Sequence, residues 1–466
     1  MFVAPAGEIC RITGGRLLAG DPQRVARGIS TDTRTLEKDM AFIALRGSRW
    51  DGHDFIPVAV DKGAAAVLGE DFKPEIRDRG KDTALIQVGD TLRALGQLAA
   101  HHRWKNFQGV MVAVTGSSGK TTTKNLVAAV LSLRYSTLKS PSSFNNEIGL
   151  PLTLLSLEPH HQAAVVEMAM RGLGEIAYLC SLARPQVGVI TNIGTAHLGR
   201  LGSLENIAKA KGELIHSLPP EGWAILNGDD LRCRQLALEA PCPAILFGQN
   251  PECQVRVEGI KNKGLAGVEA TVSFSGERIG VLLPVPGLHN VYNALAALAV
   301  GWVLGIPPKA MADAFNPWPQ EALRQEFRPG PRGCLVFNDS YNANPDSMRA
   351  ALDTLASLPG QRKMAVLGQM AELGEAAPSY HRDIGFYAAR RGLHRLILLG
   401  PYGEDMAAGA LQGGMDPGEV KVCRYREEAL QYLKDVKQGD VVLFKGSRQA
   451  EVDRVLALWE AERDDL

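Results

Sequence analysis

Short apolar runs alternate with stretches of helical periodicity along most of the chain. In the first hundred residues, apolar runs at 40–45 and 64–68 lie between Gly and Asp turns, and residues 92–104 place apolar positions at helical spacing. This pattern predicts a small α/β domain over residues 1–108.

The next region opens with an apolar strand at 110–114 and continues as an alternation of strands and helix-like stretches. Further strands are expected at 163–166, 187–190 and 223–226. Strands that alternate with helices form parallel sheets, because each helix is the crossover between two strands. We therefore predict a central domain with a parallel sheet over residues 109–318.

Prolines interrupt the pattern near the end of this region, at positions 317, 319, 329 and 331. A fresh set of strands then begins at Leu335, Met364, Leu396 and Val441. Each ends in a glycine or polar loop, as in smaller doubly wound domains that bind ligands at their strand ends. The sequence predicts a Rossmann-like C-terminal domain over 319–466, and hence a three-domain α/β fold.

Composition narrows the classes of function. The chain has 51 Lys plus Arg and 51 Asp plus Glu, so no net charge favours nucleic acid or an anionic membrane as a partner. Its seven Cys are scattered without a C-x-x-C pair, which is typical of reduced thiols. The most apolar segment, 291–306, is too short to span a membrane. We expect a cytoplasmic monomer with no membrane insertion and no nucleic-acid partner.

The clearest chemical signal is TGSSGKTT at 115–122, which lies between the strand at 110–114 and a helix expected from 123 to about 133. Glycines let backbone N–H groups turn toward phosphate oxygens, the lysine reaches the β and γ phosphates, and the next threonine can ligate Mg²⁺. The loop is a shortened variant, since the position five before Gly119 is Val114. We predict a phosphate-binding loop (P-loop) for ATP and Mg²⁺ formed by Gly116, Ser117, Ser118, Gly119, Lys120, Thr121 and Thr122.

Two further polar side chains follow predicted central strands. Glu167 comes directly after the strand at 163–166, where a carboxylate beside a phosphate loop can hold Mg²⁺ or can be an ordinary solvated acid. His197 follows the segment 187–193, and a lone His is more often a structural residue than a ligand. Residue chemistry alone leaves both alternatives open.

Two more segments are informative about the family: NNEIGLPLTL at 145–154 and DSYNANPDSM at 339–348. Together with the loop TGSSGKTT, they resemble the Mur ligase family over almost the whole chain. The resemblance implies an ATP-dependent, ADP-forming ligase of peptidoglycan synthesis that activates a carboxylate as an acyl phosphate. The two segments are most similar to the branch that joins D-alanyl-D-alanine to UDP-N-acetylmuramoyl-tripeptide, so these molecules are the implied substrates.

The resemblance also assigns roles to residues of the central domain. Glu167 and His197 would lie at metal sites that bridge ATP and the acyl phosphate, together with Thr121. Asn290 and Asn293 would lie near the nucleotide base. On residue chemistry alone, Asn290 could equally cap the helix that begins there.

Many members of the family carry a carbamoylated lysine downstream of the histidine. Lys209 and Lys211 are the candidates here, and two residues on a helix differ by roughly 200° of rotation, so only one can face the site. We favour Lys211, which stands 14 positions after His197 as in the family pattern. Lys211 is then both a catalytic and a metal-site residue.

In the last domain, the resemblance implies that Arg324 meets the ATP phosphates and that Asp339 meets the ribose or Arg324. Leu323 stands where the family usually has a glycine. The incoming dipeptide would be bound by Tyr341, Asn342 and Asn344. The segment 445–448 (KGSR) is either a further cationic loop at a strand end or a solvated charged turn.

In the first domain, TDTR at 31–34, LRG at 45–47 and DGH at 51–53 resemble the family's UDP-sugar-binding domain. Thr33 would contact the substrate there. Arg34 or Arg46 would pair with the diphosphate, because a planar guanidinium matches its oxygens.

Two other functions are alternatives to this ligase. A sibling ligase would add a single amino acid to a muramoyl peptide or to a folate, but the D-N-P-R-like loop expected of the diamino-acid type is missing from the sequence. A nucleotide-dependent switch would only hydrolyse ATP. Such a switch would not need Glu167, His197 and a modifiable lysine around one phosphate loop.

Overall fold

The computed structural model describes residues 2–79 and 82–461, which form three consecutive α/β domains. The elements of the N-terminal domain are β1 (Val3–Pro5), α1 (Ala6–Thr13), β2 (Arg16–Ala19), β3 (Val25–Arg27), β4 (Ile29–Ser30), β5 (Ala41–Ile43), α2 (Ile56–Asp61), β6 (Ala66–Gly69), α3 (Pro74–Arg79), β7 (Ala84–Gln87) and α4 (Thr91–Asn106). Five strands form a sheet in the order β2-β7-β6-β5-β4, and β1 pairs with β3. The predicted runs at 40–45 and 64–68 and the predicted helix at 92–104 correspond to β5, β6 and α4.

The central domain contains β8 (Val110–Thr115), α5 (Lys120–Ser132), β9 (Thr137–Lys139), α6 (Gly149–Leu155), β10 (Ala163–Glu167), α7 (Glu175–Ala183), β11 (Val187–Ile190), α8 (Leu198–Leu201), α9 (Leu204–His216), β12 (Trp223–Asn227), α10 (Leu231–Leu238), β13 (Ala244–Gly248), β14 (Val255–Asn262), β15 (Val268–Phe274), β16 (Glu277–Leu283), α11 (Leu288–Val303) and α12 (Pro308–Met311). Its nine strands are ordered β16-β15-β14-β13-β12-β11-β8-β10-β9. The strands from β9 to β13 are parallel, as predicted. Strand β14 pairs parallel with β13 and antiparallel with β15, and β16 pairs antiparallel with β15. These three strands were not predicted. Strands β15 and β16 alternate buried and exposed residues, so they lack the continuous apolar run of a fully covered strand.

The C-terminal domain contains β17 (Glu326–Pro329), β18 (Leu335–Asn338), α13 (Pro345–Ser357), β19 (Lys363–Leu367), α14 (Ala377–Arg390), β20 (Arg395–Leu399), α15 (Gly403–Gln412), β21 (Val420–Cys423), α16 (Glu428–Gln431), β22 (Val441–Lys445) and α17 (Val452–Ala461). The sheet order is β17-β18-β22-β19-β20-β21. The strands predicted at 335, 364, 396 and 441 are confirmed as β18, β19, β20 and β22. The sheet begins earlier than predicted, because β17 runs antiparallel to β18 and forms its edge.

Packing joins the first two domains closely. Leu95 and Leu98 of α4 lie in the same buried apolar cluster as Leu154 of α6 and Leu179 of α7. Near the end of α4, Arg103 donates from Nε to the carbonyl of Ala183 at 2.7 Å. The N-terminal domain therefore rests against the central domain through a packed interface. Within the described ranges, no helix combines the length and the apolar character needed to cross a membrane.

The parallel strands of the central domain set up the site by ending at one edge of the sheet. In the register of β8, Val114 is paired with Glu167 of β10 and Thr115 with Ile190 of β11. The segments that follow these three strands are consequently neighbours. Ligands of open α/β sheets bind at this edge.

A buried ion pair stabilises the C-terminal sheet. Arg362 donates to the two carboxylate oxygens of Asp440 at 3.1 and 2.6 Å, and the Asp440 side chain is fully buried. Arg362 also contacts Asp435 at 2.8 Å. Burial would raise the pKa of Asp435, but hydrogen bonds from Arg395 and Arg362 lower it to about 2.

We expect Arg362→Ala to lower the free energy of unfolding by about 3 kcal/mol, because it leaves a buried carboxylate without its charged partner. The matched control is Arg391→Ala, whose partner Asp353 is half exposed and which should cost less than about 1 kcal/mol. Thermal and urea unfolding of the full chain measure both values. Equal losses in the two variants would contradict this account of Asp440.

Candidate active site

The predicted P-loop connects β8 to α5, and two positions in it require glycine. Gly116 has φ of +148°, and a Cβ there would lie 1.9 Å from Oγ1 of Thr191. Gly119 has φ of +79°, and its Cβ would lie 2.4 Å from Oδ1 of Asn293. The helix α5 begins at Lys120, three residues before the predicted start at 123. The first turn of the helix therefore belongs to the loop itself, and N–H groups at a helix start that lack a partner within the helix can donate to phosphate oxygens.

The segment after β11 holds the loop in this shape. The backbone N–H of Ser118 donates to Oδ1 of Asn192 at 3.0 Å, and the hydroxyl of Thr191 donates to the Ser118 carbonyl at 2.6 Å. The N–H of Gly194 donates to Oγ of Ser117 at 2.8 Å. Thr191 and Asn192 were not predicted as site residues. Their position as polar residues directly after a buried strand could have indicated such a role.

Lys120 is a cation without a carboxylate partner. Its Nζ donates to the carbonyl of Gly116 at 2.8 Å, and it forms no ion pair within the described part of the chain. Burial lowers the pKa of Lys120, and Arg324 lowers it further, whereas Glu167 raises it. A triphosphate would supply the negative charge that this side chain lacks.

Glu167 and Thr121 lie together at the end of β10. The Thr121 hydroxyl donates to Oε2 of Glu167 at 2.8 Å, and Nδ2 of Asn145 donates to Oε1 at 2.8 Å. Glu167 is only 2% exposed, and the partners described for its carboxylate are neutral. A buried carboxylate with hydroxyl and amide neighbours fits Mg²⁺, which prefers oxygen ligands. No cluster of three or more His, Cys, Asp or Glu suited to a metal occurs among residues 2–79 and 82–461.

A cavity of about 560 Å³ lies between the P-loop and the C-terminal domain, and Asn290 and Asn293 line it. Asn293 accepts from the Thr123 hydroxyl at 3.2 Å, and Asn290 donates to Oε1 of Gln325 at 2.7 Å. The capping alternative for Asn290 is wrong, because α11 begins at Leu288 and its N-cap is Gly287. Both asparagine side chains are buried and lie in the wall of this first cavity.

The C-terminal domain contributes Arg324 to the same cavity. The Arg324 guanidinium carbon lies 4.0 Å from the centre of the Tyr341 ring, and its buried Nε has no hydrogen-bond partner among the described residues. Leu323 has φ of +60°, a conformation that favours glycine. A positive φ is therefore present at the position where the family usually has glycine. Because leucine has a Cβ, it adopts this φ with some backbone strain.

Asp339 makes no described hydrogen bond to Arg324, and its contact with the ribose stays a prediction. Its carboxylate accepts the N–H of Gln325 at 3.2 Å and the ammonium of Lys445 at 2.5 Å. Lys445 is only 2% exposed, so the solvated-turn alternative is wrong for this residue. Arg448 differs, since it is half exposed and pairs with Asp453 at 2.8 Å.

A second cavity of about 660 Å³ lies on the other side of the P-loop lysine. Lys120, Tyr341, Asn342 and Asn344 line both cavities. The Tyr341 hydroxyl lies 2.5 Å from Oγ of Ser143 in the central domain. Asn344 caps α13 and donates to Oγ of Ser118 at 3.2 Å, so it also joins the two domains.

His197 lines the second cavity only, and the structure separates it from Thr121 and Glu167, which line the first. It has φ of +68° at the start of α8, and its Nδ1 is paired with the carboxylate of Glu372 from the C-terminal domain. A hydrogen bond from His197 lowers the pKa of Glu372, although burial opposes this. The predicted metal-site residues therefore form more than one group.

The sequence matches known protein families and individual known proteins over most of its length. Three family models match: the Mur ligase family catalytic domain at residues 25–103, the Mur ligase middle domain at 114–301 and the Mur ligase glutamate ligase domain at 323–448. The UDP-N-acetylmuramoyl-tripeptide–D-alanyl-D-alanine ligase of Bacillus subtilis is 37% identical over 436 residues, which cover 93% of each chain. A ligase of the same name from Synechocystis is 39% identical over 440 residues, covering 93% of this chain and 92% of that one. The chain belongs to the Mur ligase family.

Solved structures agree with this assignment. The crystal structure of MurF from Acinetobacter baumannii has a TM-score of 0.91 and 31% identity, covering 99% of both chains. MurF ligase from Thermotoga maritima in complex with ADP has a TM-score of 0.82 and 30% identity, covering 94% of this chain and 98% of that one. The predicted three-domain α/β fold is confirmed. As a Mur ligase, the chain is an ATP-dependent ligase, and the predicted use of a nucleotide is supported.

The two lysine candidates of this Mur ligase lie in different environments. Lys211 is only 1% exposed on α9, whereas Lys209 is exposed. Burial and the nearby Lys120 lower the pKa of Lys211 well below its usual range. Across residues 2–79 and 82–461, its amine has no hydrogen bond or ion pair. The lowered pKa favours the uncharged amine, which is the form that reacts with carbon dioxide.

The predicted substrate residues of the first domain do not line either cavity. Arg34 pairs with Asp32 at 2.6 Å, and Arg46 pairs with Glu70 at 2.9 Å. The carbonyl of Thr33 accepts from Lys62 at 2.6 Å. A role for these side chains in binding the UDP part stays a prediction, and each arginine would have to exchange a carboxylate for a phosphate.

Several residues around the cavities gave no signal in the sequence. Gln325 donates to Nε2 of His289 at 2.7 Å and so closes the wall of the first cavity. Burial lowers the pKa of His289. Glu372 reaches His197 from 175 residues away. Contacts of this range follow from how the domains are docked, which periodicity and motifs do not encode.

Proposed function

We propose that this Mur ligase joins D-alanyl-D-alanine to UDP-N-acetylmuramoyl-tripeptide with the conversion of ATP to ADP and phosphate, giving the UDP-linked pentapeptide of peptidoglycan synthesis. The relatives that cover nearly the whole chain carry this activity in their names. The observation that carries the proposal is that Lys120, whose ammonium has no carboxylate partner among the described residues, lines both cavities. A phosphoryl group held there can pass from a nucleotide in the first cavity to an acid in the second.

In the first step, an oxygen of the tripeptide carboxylate attacks the γ-phosphorus, the bond to the β-phosphate oxygen breaks, and ADP leaves. Backbone N–H groups of the P-loop hold the phosphate oxygens, and Lys120 and Arg324 offset the charge that develops. Thr121 and Glu167 would hold Mg²⁺, which when bound supplies further positive charge at these oxygens.

In the second step, the amine of D-alanyl-D-alanine attacks the acyl carbon, the bond from carbon to the phosphate oxygen breaks, and phosphate leaves while the nitrogen loses a proton. Tyr341, Asn342 and Asn344 form the wall where the two cavities meet. They are therefore placed to position the dipeptide beside the acyl phosphate. Burial between two domains keeps water from this reactive group.

We also propose that Lys211 is carbamoylated and so becomes an anion beside the P-loop. Lys211→Arg cannot carry this group, and we expect kcat to fall about 10–100-fold. Lys209→Arg, on the exposed face of the same helix, should retain full activity. Labelling with ¹³C-bicarbonate and carbon NMR should show a carbamate signal in the wild type and in Lys209→Arg only. An active Lys211→Arg enzyme without the signal would contradict this role.

The proposed enzyme acts as a monomer in the cytoplasm, where ATP and nucleotide-linked sugars are available. Its activity is tested by mass spectrometry of the products formed from UDP-N-acetylmuramoyl-tripeptide, D-alanyl-D-alanine and ATP. The expected product is the pentapeptide, with phosphate release that depends on both substrates. A product extended by one amino acid would favour a sibling ligase. Phosphate release without either substrate would favour a nucleotide-dependent switch.

A further inference from the structure

A contact between His197 and Glu372 joins the central and C-terminal domains at the wall of the second cavity. The two backbones meet at the same place, because the N–H of Gly199 donates to the carbonyl of Glu372 at 2.9 Å. Their approach is close enough that a Cβ on Gly199 would lie 2.4 Å from the nitrogen of Gly374. The contact is therefore part of a tight interdomain junction.

Both residues adopt backbone conformations that non-glycine residues rarely take. The φ angle is +68° at His197 and +62° at Glu372. Such conformations persist where the surrounding structure fixes them, and they are frequent at functional sites. Here they direct the imidazole and the carboxylate at each other.

The chemistry of the pair determines where the imidazole carries its hydrogen. An ionised carboxylate can only accept, so Nδ1 of His197 must be the donor. In the neutral ring, Nε2 then keeps its lone pair. No described residue makes a hydrogen bond to Nε2. The remaining nitrogen is thus available to the contents of the second cavity.

We propose that Glu372 is a positioning residue for the ligase reaction: its carboxylate, supplied by the C-terminal domain, fixes His197 in the Nδ1–H tautomer so that Nε2 offers a lone pair to the second cavity. That His197 takes part in the reaction is implied by the family resemblance and rests on the proposed function, whereas the tautomer does not. Glu372 favours this tautomer of His197 only while the C-terminal domain lies against α8. The rate of the chemical step should therefore depend on whether the C-terminal domain is docked at this junction.

Kinetics separate positioning from simple bracing of the domains. We expect Glu372→Ala to lower kcat about 10–100-fold, as for other partners that orient a functional histidine, with KM for ATP unchanged. Glu372→Gln should recover most of kcat, because its amide oxygen can still accept from Nδ1.

Two control variants lie beside the contact. Arg200→Ala removes the other cation near Glu372, at 3.5 Å, without touching His197. Glu375→Ala changes an exposed acid in the short helical turn Gly374–Ala376, which follows Glu372. Both should retain wild-type kcat. If Arg200→Ala lowers kcat as much as Glu372→Ala does, the contact only holds the two domains together and the proposal is wrong.

A spectroscopic measurement tests the tautomer without any turnover. The full-length enzyme with ¹⁵N-labelled histidine is studied by NMR, and the signals of His197 are identified from their loss in His197→Asn. We expect a protonated Nδ1 and an unprotonated Nε2 in the wild type and in Glu372→Gln, and the Nε2–H tautomer in Glu372→Ala. A wild-type spectrum with Nε2 protonated, or an unchanged spectrum in Glu372→Ala, overturns the proposal. Failure to form the pentapeptide would count against the proposed function alone.

Discussion

Lys120→Ala is expected to lower kcat/KM for ATP about 10²–10³-fold, because it removes a preorganised cation from the phosphoryl group in transit. Lys120 lines both cavities, as Ser117 of the same loop does, and it carries the positive charge that can follow the phosphoryl group from the nucleotide side to the acyl side. The loop backbone is held by Thr191 and Asn192 and does not depend on this side chain. The fold should therefore survive the substitution.

The control for this variant is Lys209→Ala, which removes an exposed lysine of the same domain. Steady-state rates give kcat/KM, calorimetry with a nonhydrolysable ATP analogue gives the affinity, and circular dichroism reports the fold. Wild-type affinity and wild-type rates in Lys120→Ala would show that the loop does not act as described.

Glu167→Gln is expected to lower kcat/KM to a similar extent, about 10²–10³-fold. The change keeps the size of the side chain but removes the buried charge. It also changes the hydrogen bonds, because the NH₂ group that replaces one carboxylate oxygen donates and cannot accept from the Thr121 hydroxyl or the Asn145 amide. The concentration of Mg²⁺ needed for half-maximal activity should rise about tenfold.

A Mg²⁺ titration at fixed ATP measures this shift, with Glu221→Gln, at an exposed acid, as the control. Nucleotide affinity in the absence of Mg²⁺ should be the same in the wild type and in Glu167→Gln. If the half-maximal Mg²⁺ concentration does not move while kcat falls, Glu167 acts on the reaction by a route other than the metal.

The parts of the site that are local in sequence were predictable. The P-loop lies between a strand and a helix, and Glu167 lies at the end of a strand, so periodicity and parallel-sheet topology were enough to bring them together. Lys211 could be preferred over Lys209 from helical rotation and family spacing, and its burial agrees with that preference. Leu323, which stands where the family usually has glycine, has a positive φ that favours glycine.

The parts that depend on domain docking were not predictable. The contacts of Tyr341 with Ser143, Asn344 with Ser118 and Glu372 with His197 each join two domains. The apolar patterns that define each domain carry no information on how domains meet, because these contacts are polar and few. Strands β14 to β16 were missed for a different reason, namely that a strand with one solvated face has no continuous apolar run.

The central claim is that the γ-phosphoryl group of ATP moves onto the substrate carboxylate before the peptide bond forms. It is tested most directly with UDP-N-acetylmuramoyl-tripeptide carrying ¹⁸O in its terminal carboxylate, followed by mass spectrometry of the released phosphate. An acyl phosphate transfers one carboxylate oxygen to phosphate, so we predict one ¹⁸O in each phosphate released by a turnover that forms pentapeptide. Unlabelled phosphate, or ¹⁸O in AMP, accompanying pentapeptide formation would contradict the account.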